Sequence, residues 1–292
     1  MTIGSFCLVL HGHMPYVLHH GQWPHGEDWL YEAAAETYLP LLSMLDECSY
    51  LNGKPRLTIG LTPVLAEQLA HEHFKQGFKA YLSNRIEQAV TDRNYFEKNA
   101  QPHLAWLAER WAKFYQGLSE QFMRIGYDIP DAFRIQARTG SVELLTSAAT
   151  HGYMPLLLED SSIKAQIRAG LNSSRRILGI KPEGIWFPEG AYRPAGRWTP
   201  AIEWGAPDWR RGLEELVSEE GLSYFFVDEH MFTNGGGNDR PSSRSVSANN
   251  ASASSALWRA SSMSSPAEKQ PGRSGNQIPT AESGPASSTI AI

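Results

Sequence analysis

The sequence predicts an α/β fold in which parallel strands alternate with helical crossovers. Three observations predict it. Short apolar runs that read as buried strands recur between residues 5 and 227, and stretches with helical spacing of apolar residues separate them. The strand-like runs also end at polar, potentially reactive side chains. Strands joined by helix-length crossovers form a parallel sheet, open or closed into a barrel. Catalytic groups collect at the carboxyl edge of such sheets, because strand ends are rigid and the following loops are free to vary.

The elements follow in order. Ser5 to Leu10 is the first strand, ending in His11-Gly-His13. Helical patterning runs from Trp29 to about Leu51, where Leu30, Ala33, Ala34, Thr37, Leu41, Leu42 and Leu45 form an apolar stripe. Arg56 to Leu61 is the second strand, stopped by Thr62-Pro63. A long helical tract from Leu65 to about Gly126 breaks near Gly77 and again at Gln101-Pro102, so it reads as several helices. The third strand spans Val142 to Ala148, and helical segments cover Leu156 to Leu178 with Gly179 as the natural cap. Gly184 to Phe187 is the fourth strand and Leu222 to Val227 the fifth, ending at Asp228-Glu229-His230.

Bulk properties exclude several function classes. A formal charge of −5 and the lack of a basic stripe argue against a nucleic-acid partner. No apolar run approaches the roughly 20 residues that span a bilayer, so no membrane partner is expected. The apolar run at the N-terminus has no basic residues before it and ends in histidines rather than a cleavage site, which does not fit a signal peptide. Two cysteines, Cys7 and Cys48, make no disulfide framework, and a reduced, cytoplasmic setting is the expectation. There is no GxGxxG after a strand, no P-loop and no GxSxG elbow.

Composition changes abruptly after Asn234. Residues 1–234 read as one domain. Residues 235–292 are dominated by Ser, Ala, Gly, Pro and Asn, with Trp258 their only aromatic and three acids against five bases. Such a segment buries too little apolar surface to offset its ordering entropy, so it is expected to be a disordered tail. An ordinary Ser-rich linker is one explanation. An interrupted or frame-shifted coding sequence near Thr233 is the preferred expectation.

The segment Gly184-Ile-Trp-Phe-Pro-Glu189-Gly-Ala-Tyr-Arg-Pro194 carries the most chemistry. It delivers one carboxylate, Glu189, at a strand end, among Trp186, Tyr192 and Trp198. An acid among aromatic rings suits carbohydrate chemistry, where rings stack on sugar faces and a carboxylate attacks or stabilises the anomeric carbon. The bland alternative is a strand-end Glu that only pairs with Arg193. His11 and His13, two apart on a strand, face the same side. They fit a metal pair, hydrogen-bonding groups for sugar hydroxyls or a carboxylate, or two satisfied core histidines. His151 and Asp228 sit at two further strand ends, so four strands would bring such groups to one rim. Trp23 and Trp29, with His19, His20 and His25, form a loop that either folds over the mouth or merely packs. His71 and His73, two apart in a helical region, share no face and read as surface residues.

These residues carry a resemblance. The segments LVLHGHMPYV, GLTPVL, THGYMP, GIWFPEGAYRP and FFVDEH, in that order, resemble the N-terminal part of glycoside hydrolase family 57, most closely its 1,4-α-glucan branching enzymes. The resemblance runs from about Ser5 to Phe232, and WFPEGAY is its specific piece. Branching members often have Cys after the nucleophile, where this chain has Gly190. The resemblance implies a (β/α)7 barrel of the glycoside hydrolase/deacetylase type with retention of anomeric configuration, here truncated after about five strands. It implies Glu189 as nucleophile, with His11, His13 and His151 lining the donor subsite. Trp29, Trp186 and Asp228 are further candidates for substrate contact. It implies no metal and no organic cofactor, and an α-1,4-glucan as substrate. The acid/base it implies is an Asp on a later strand, which 235–292 does not resemble, so this chain is expected to be inactive alone.

Rivals differ in what they predict. An α-amylase or 4-α-glucanotransferase of the same family shares the nucleophile and differs in acceptor. A metal-dependent polysaccharide deacetylase would bind a divalent ion through His and Asp. A non-catalytic glucan-binding remnant would keep binding without turnover.

Overall fold

The computed structural model describes residues 5–49, 56–202, 205–228, 255–259 and 289–291, with the backbone alone at 5, 6, 228, 255–259 and 289–291. Strand β1 (Ser5–Gly12) leads through a loop into α1 (Glu27–Ala33), one π-helical turn (Ala34–Tyr38) and α2 (Leu39–Cys48). Then come β2 (Leu57–Leu61), α3 (Pro63–Ala70), the long pair α4 (Glu72–Lys98) and α5 (Pro102–Arg124), and α6 (Ile129–Arg138). Next are β3 (Val142–Leu145), α7 (Asp160–Ile177) and β4 (Gly184–Trp186). A small antiparallel hairpin of β5 (Gly196–Trp198) and β6 (Asp208–Arg210) precedes α8 (Leu213–Glu219) and β7 (Tyr224–Asp228). Two short strands follow, β8 (Ser255–Arg259) and β9 (Thr289–Ala291).

Seven strands form one sheet in the order β3-β2-β1-β9-β8-β7-β4. Its five main strands are the five expected, and the pairs β1–β2, β2–β3 and β4–β7 are parallel. The expectation of an all-parallel sheet needs correction. β8 runs antiparallel to both β7 and β9, so the sheet is mixed. Nor are residues 235–292 without strands: β9 pairs in parallel with β1, and β8 with β7. Backbone groups along the open edges of β1 and β7 accept any partner strand, whatever its side chains. The remainder of that segment, with Glu229 and His230, lies outside the described residues.

Side-chain alternation explains the core. Leu8 and Leu10 of β1 pack outward with Ile59, Leu144 and the helices around Phe74, Phe78 and Phe122. Ile185, Phe225 and Val227 pack outward with Ile163, Ile167 and Leu216 of α7 and α8. The intervening residues face inward, where Val9, Leu145 and Phe226 meet Cys7, Trp186 and Tyr224. These belong to strands far apart in the sheet order, so the sheet curls around them. The outermost strands meet through a parallel bridge, in which Thr146 N–H donates to Gly184 O at 3.2 Å and Trp186 N–H to Thr146 O at 2.9 Å.

Two glycines show what close packing requires. Gly77 does not break the helical tract: it lies inside α4, and the break is at His71. A Cβ at Gly77 would stand 1.9 Å from the Tyr31 hydroxyl, so the glycine serves tertiary contact and not a turn. A Cβ at Gly170 of α7 would come 2.3 Å from the Ser147 carbonyl oxygen, a backbone atom that cannot swing aside. Gly170→Ala is expected to destabilise the fold by about 1–3 kcal/mol, seen as a lower denaturant midpoint at unchanged slope.

Candidate active site

The inward register of β1 places His11 directly after Val9 on the same face, and the chain then turns at Gly12. Thr62 N–H donates to Gly12 O at 3.0 Å, and His13 Nδ1 lies 3.2 Å from Thr62 Oγ1. Gln68 of α3 anchors the loop that follows. Its Oε1 accepts from Val17 N–H at 2.7 Å and its Nε2 donates to Pro15 O at 3.0 Å. Neither Thr62 nor Gln68 was singled out by the sequence, because their partners lie about fifty residues away.

His151 and Glu189 enter from other strand ends, and both take left-handed backbone (φ 56° and 58°). That region is costly for residues with a Cβ. It turns each side chain back over the sheet edge. Glu189 sits in a single 3₁₀ turn, Pro188–Gly190, held by Gly190 N–H donating to Phe187 O at 2.8 Å. The His151 side chain is 5% exposed and that of Glu189 is 69% exposed, with Nδ1 and Oε1 3.9 Å apart. The carboxylate therefore faces solvent while its neighbour is enclosed.

The rings form a layered cluster. His151 stacks on His13 with centroids 3.7 Å apart, and His11 stacks on Trp186 at 4.8 Å. Trp186 in turn stacks on Phe226 at 5.5 Å, and Ser147 Oγ fixes its backbone by donating to Trp186 O at 2.8 Å. His11 Nε2 and His151 Nε2 lie 3.2 Å apart. One ring nitrogen of His11 meets His151 and one of His13 meets Thr62.

The protonation pattern follows. Burial, then the neighbouring His151 and His13, push His11 down to about 3. Burial, then His13, push His151 down to about 4. Burial also lowers His13, with the Glu189 charge working against it. All three rings are neutral at pH 7. His151 Nδ1 is the ring nitrogen 3.9 Å from Glu189; a proton there makes His151 Nε2 the acceptor and His11 Nε2 the donor of their hydrogen bond. His11 Nδ1 is then a bare acceptor beside Gly60, and it has no hydrogen-bond partner. The row of imidazoles thus ends with His151 Nδ1, 3.9 Å from the Glu189 carboxylate.

Other expected residues stand apart. Arg193 is not the partner of Glu189: its Nη1 donates to Arg211 O at 3.0 Å and its Nη2 lies 3.8 Å from Asp160. The Tyr192 hydroxyl donates to Glu214 at 2.8 Å, away from the carboxylate of Glu189. Trp29 is 43% exposed and meets His25 at 5.7 Å, with no ring contact to His11, His13 or His151 among the described residues. Asp228 ends β7, and its side chain lies outside the described residues.

This gathering of His11, His13, His151 and Glu189 coincides with the segments that carry the resemblance. The family model of glycosyl hydrolase family 57 matches residues 7–263. The chain belongs to glycosyl hydrolase family 57. The match extends past Phe232 and across the change in composition. A 1,4-alpha-glucan branching enzyme of Thermococcus kodakarensis is 36% identical to this family 57 chain over 239 residues, covering 80% of the chain and 33% of that protein. A probable 1,4-alpha-glucan branching enzyme of Mycobacterium tuberculosis is 32% identical over 236 residues, 77% of this chain and 41% of its own. Among solved structures, the family 57-type branching enzyme of Pyrococcus horikoshii superposes with a TM-score of 0.73 at 39% identity, covering 80% of this chain and 43% of that one. The α-amylase AmyC of Thermotoga maritima gives 0.68 at 28% identity, covering 82% and 42%. This family 57 chain thus spans a third to about two fifths of the length of these relatives. No helix among the described residues is long and apolar enough to cross a membrane.

Proposed function

We propose that this chain carries the nucleophile half of a 1,4-α-glucan branching site on a (β/α)7-type barrel, acting in the cytoplasm on amylose-like glucans. One observation carries the proposal: Glu189 stands solvent-facing at a strand end, with the enclosed His151 Nδ1 3.9 Å from its carboxylate. The branching enzymes of Thermococcus kodakarensis and Pyrococcus horikoshii support the choice of reaction. The similarity to an α-amylase supports the second reading, in which water is the acceptor.

In the proposed reaction the Glu189 carboxylate attacks the anomeric carbon of an α-1,4-linked glucose. The C–O bond to the leaving chain breaks, and that oxygen takes a proton from a carboxylic acid. The second half reverses the roles. A 6-hydroxyl of another glucan attacks the glycosyl ester, gives its proton to that same carboxylate and frees Glu189. Two inversions retain the α configuration. The protein's own part is electrostatic: neutral imidazoles leave the donor face uncharged, and the His151 N–H suits Glu189 as nucleophile and as leaving group. His11 and His13 hold the His151 ring in place, and Trp186 backs His11.

The acid has to stand about 5–5.5 Å from the nucleophile in a retaining enzyme. Among the described residues, the ion-pair partner of Glu189 is one imidazole, that of His151. Purified residues 1–292 are therefore expected to leave amylose–iodine colour unchanged; turnover of amylose would overturn that expectation. An α-maltooligosyl fluoride, whose fluoride departs without protonation, tests the proposal itself. Supplied with a glucan acceptor and with formate, which takes the acceptor's proton in place of the second carboxylate, it should give chains that a debranching enzyme releases. Reducing sugar alone would favour the amylase reading, and no reaction with either acceptor would sink both.

A further inference from the structure

We propose that His19, Glu27 and His73 form a site for one divalent transition-metal ion of the zinc type, clamping the loop after β1 to the start of α4. Among the described residues this trio alone brings three His, Cys, Asp or Glu donor atoms within 4.8 Å of one another. Glu27 is only 9% exposed. Its Oε1 lies 2.8 Å from His73 Nε2 and accepts from the His19 backbone N–H at 2.7 Å. The His19 and His73 rings lie 4.1 Å apart, tilted by 38°.

One hydrogen bond explains His73 against Glu27. It does not explain the second imidazole, whose nitrogens have no hydrogen-bond partner among the described residues. His19 is held there by a left-handed backbone (φ 65°). Two imidazoles and a carboxylate are the donor set of zinc sites with one open position. The open position faces water or His71, whose ring lies 6.1 Å from His19 and 6.5 Å from His73.

The surroundings are those of a supported ligand. The Tyr31 hydroxyl donates to Glu27 Oε2 at 2.9 Å, which fixes the carboxylate and leaves Oε1 for the ion. Gly77 makes room for that hydroxyl, since any Cβ there would stand 1.9 Å from it. Burial tends to raise the Glu27 carboxyl, yet the bonds from His19 N–H, His73 and Tyr31 together hold it below the usual carboxylate range. The helical-face argument that made His71 and His73 surface residues fails because His71 is not in the helix. It caps α4 in extended backbone, and its Nδ1 accepts from His73 N–H at 3.1 Å.

The site stands whatever reaction Glu189 performs. The test uses residues 1–292 stripped by chelator and titrated calorimetrically with Zn²⁺ at pH 7.5. One ion per chain is expected, with a rise in thermal midpoint, and Co²⁺ should give the intense visible bands of tetrahedral coordination. His19→Ala, a change at an exposed residue, and His73→Ala should each weaken Zn²⁺ binding at least about 100-fold, while His103→Ala on α5 leaves it unchanged. Circular dichroism confirms that each variant is folded. Binding only at millimolar Zn²⁺, or full affinity retained in folded His19→Ala, would overturn the proposal. Loss in His11→Ala instead would also overturn it, by moving the ion to the other histidines.

Discussion

Glu189→Gln is expected to lower turnover of an α-maltooligosyl fluoride at least about 1,000-fold, the scale on which enzymes lose rate when a nucleophile is removed. The isosteric amide keeps the side chain's shape, and the position is mostly solvent-exposed, so the fold should be untouched. The same donor should leave a glycosyl adduct on the peptide carrying Glu189, detected by mass spectrometry, and none on the Gln variant. His151→Ala makes a graded contrast. It removes the N–H facing the carboxylate but not the nucleophile, so a loss nearer 100-fold is expected. Turnover by Glu189→Gln within tenfold of the parent would end the assignment.

Acid is expected to destabilise the chain steeply. His11 and His151 are neutral in the folded state down to about pH 3 and 4, whereas an unfolded histidine protonates near 6.5. Between those values the unfolded chain binds more protons than the folded one, so stability falls as pH falls. Above pH 6.5 neither state is protonated, and nothing is lost. For His11 alone the loss approaches about 3 kcal/mol by pH 4, at roughly 1.4 kcal/mol per unit, and His151 adds to it in the same direction. That is a large share of a typical domain's stability. Denaturant midpoints measured from pH 8 to 4 should be flat above about 6.5 and decline below it, and His11→Gln should flatten the decline. A flat profile in the parent would show that the pair is not buried neutral.

The histidine cluster was legible because strand periodicity is local. In β1 the alternation of Leu8 and Leu10 against Val9 and His11 follows from a two-residue repeat, and Trp186 follows Ile185 in the same way. The strand ends could therefore be placed, and with them His11, His13, His151 and Glu189. What was not legible depends on distant partners. Nothing near Gly77 reveals that Tyr31 packs over it, so a glycine cost within the helix was mistaken for a break. Arg193 finds its acceptor eighteen residues away at Arg211, which left pairing with Glu189 open until the geometry closed it. The strands β8 and β9, five and three residues long, are too short to announce themselves by an apolar repeat. The hairpin of β5 and β6 was missed for the same reason: three-residue strands carry too little pattern.

The left-handed backbone at His151 and Glu189 sets stability against activity in this protein. Asn or Gly fits such φ values more easily than His or Glu, so a screen that rewards only heat resistance or expression would drift toward them at both positions. Variants improved by that route would look healthier by every folding measure while losing the pair to which the chemistry is assigned under the proposed function. Any stabilisation campaign on this scaffold therefore needs residues 151 and 189 held fixed from the first round, with activity scored alongside yield.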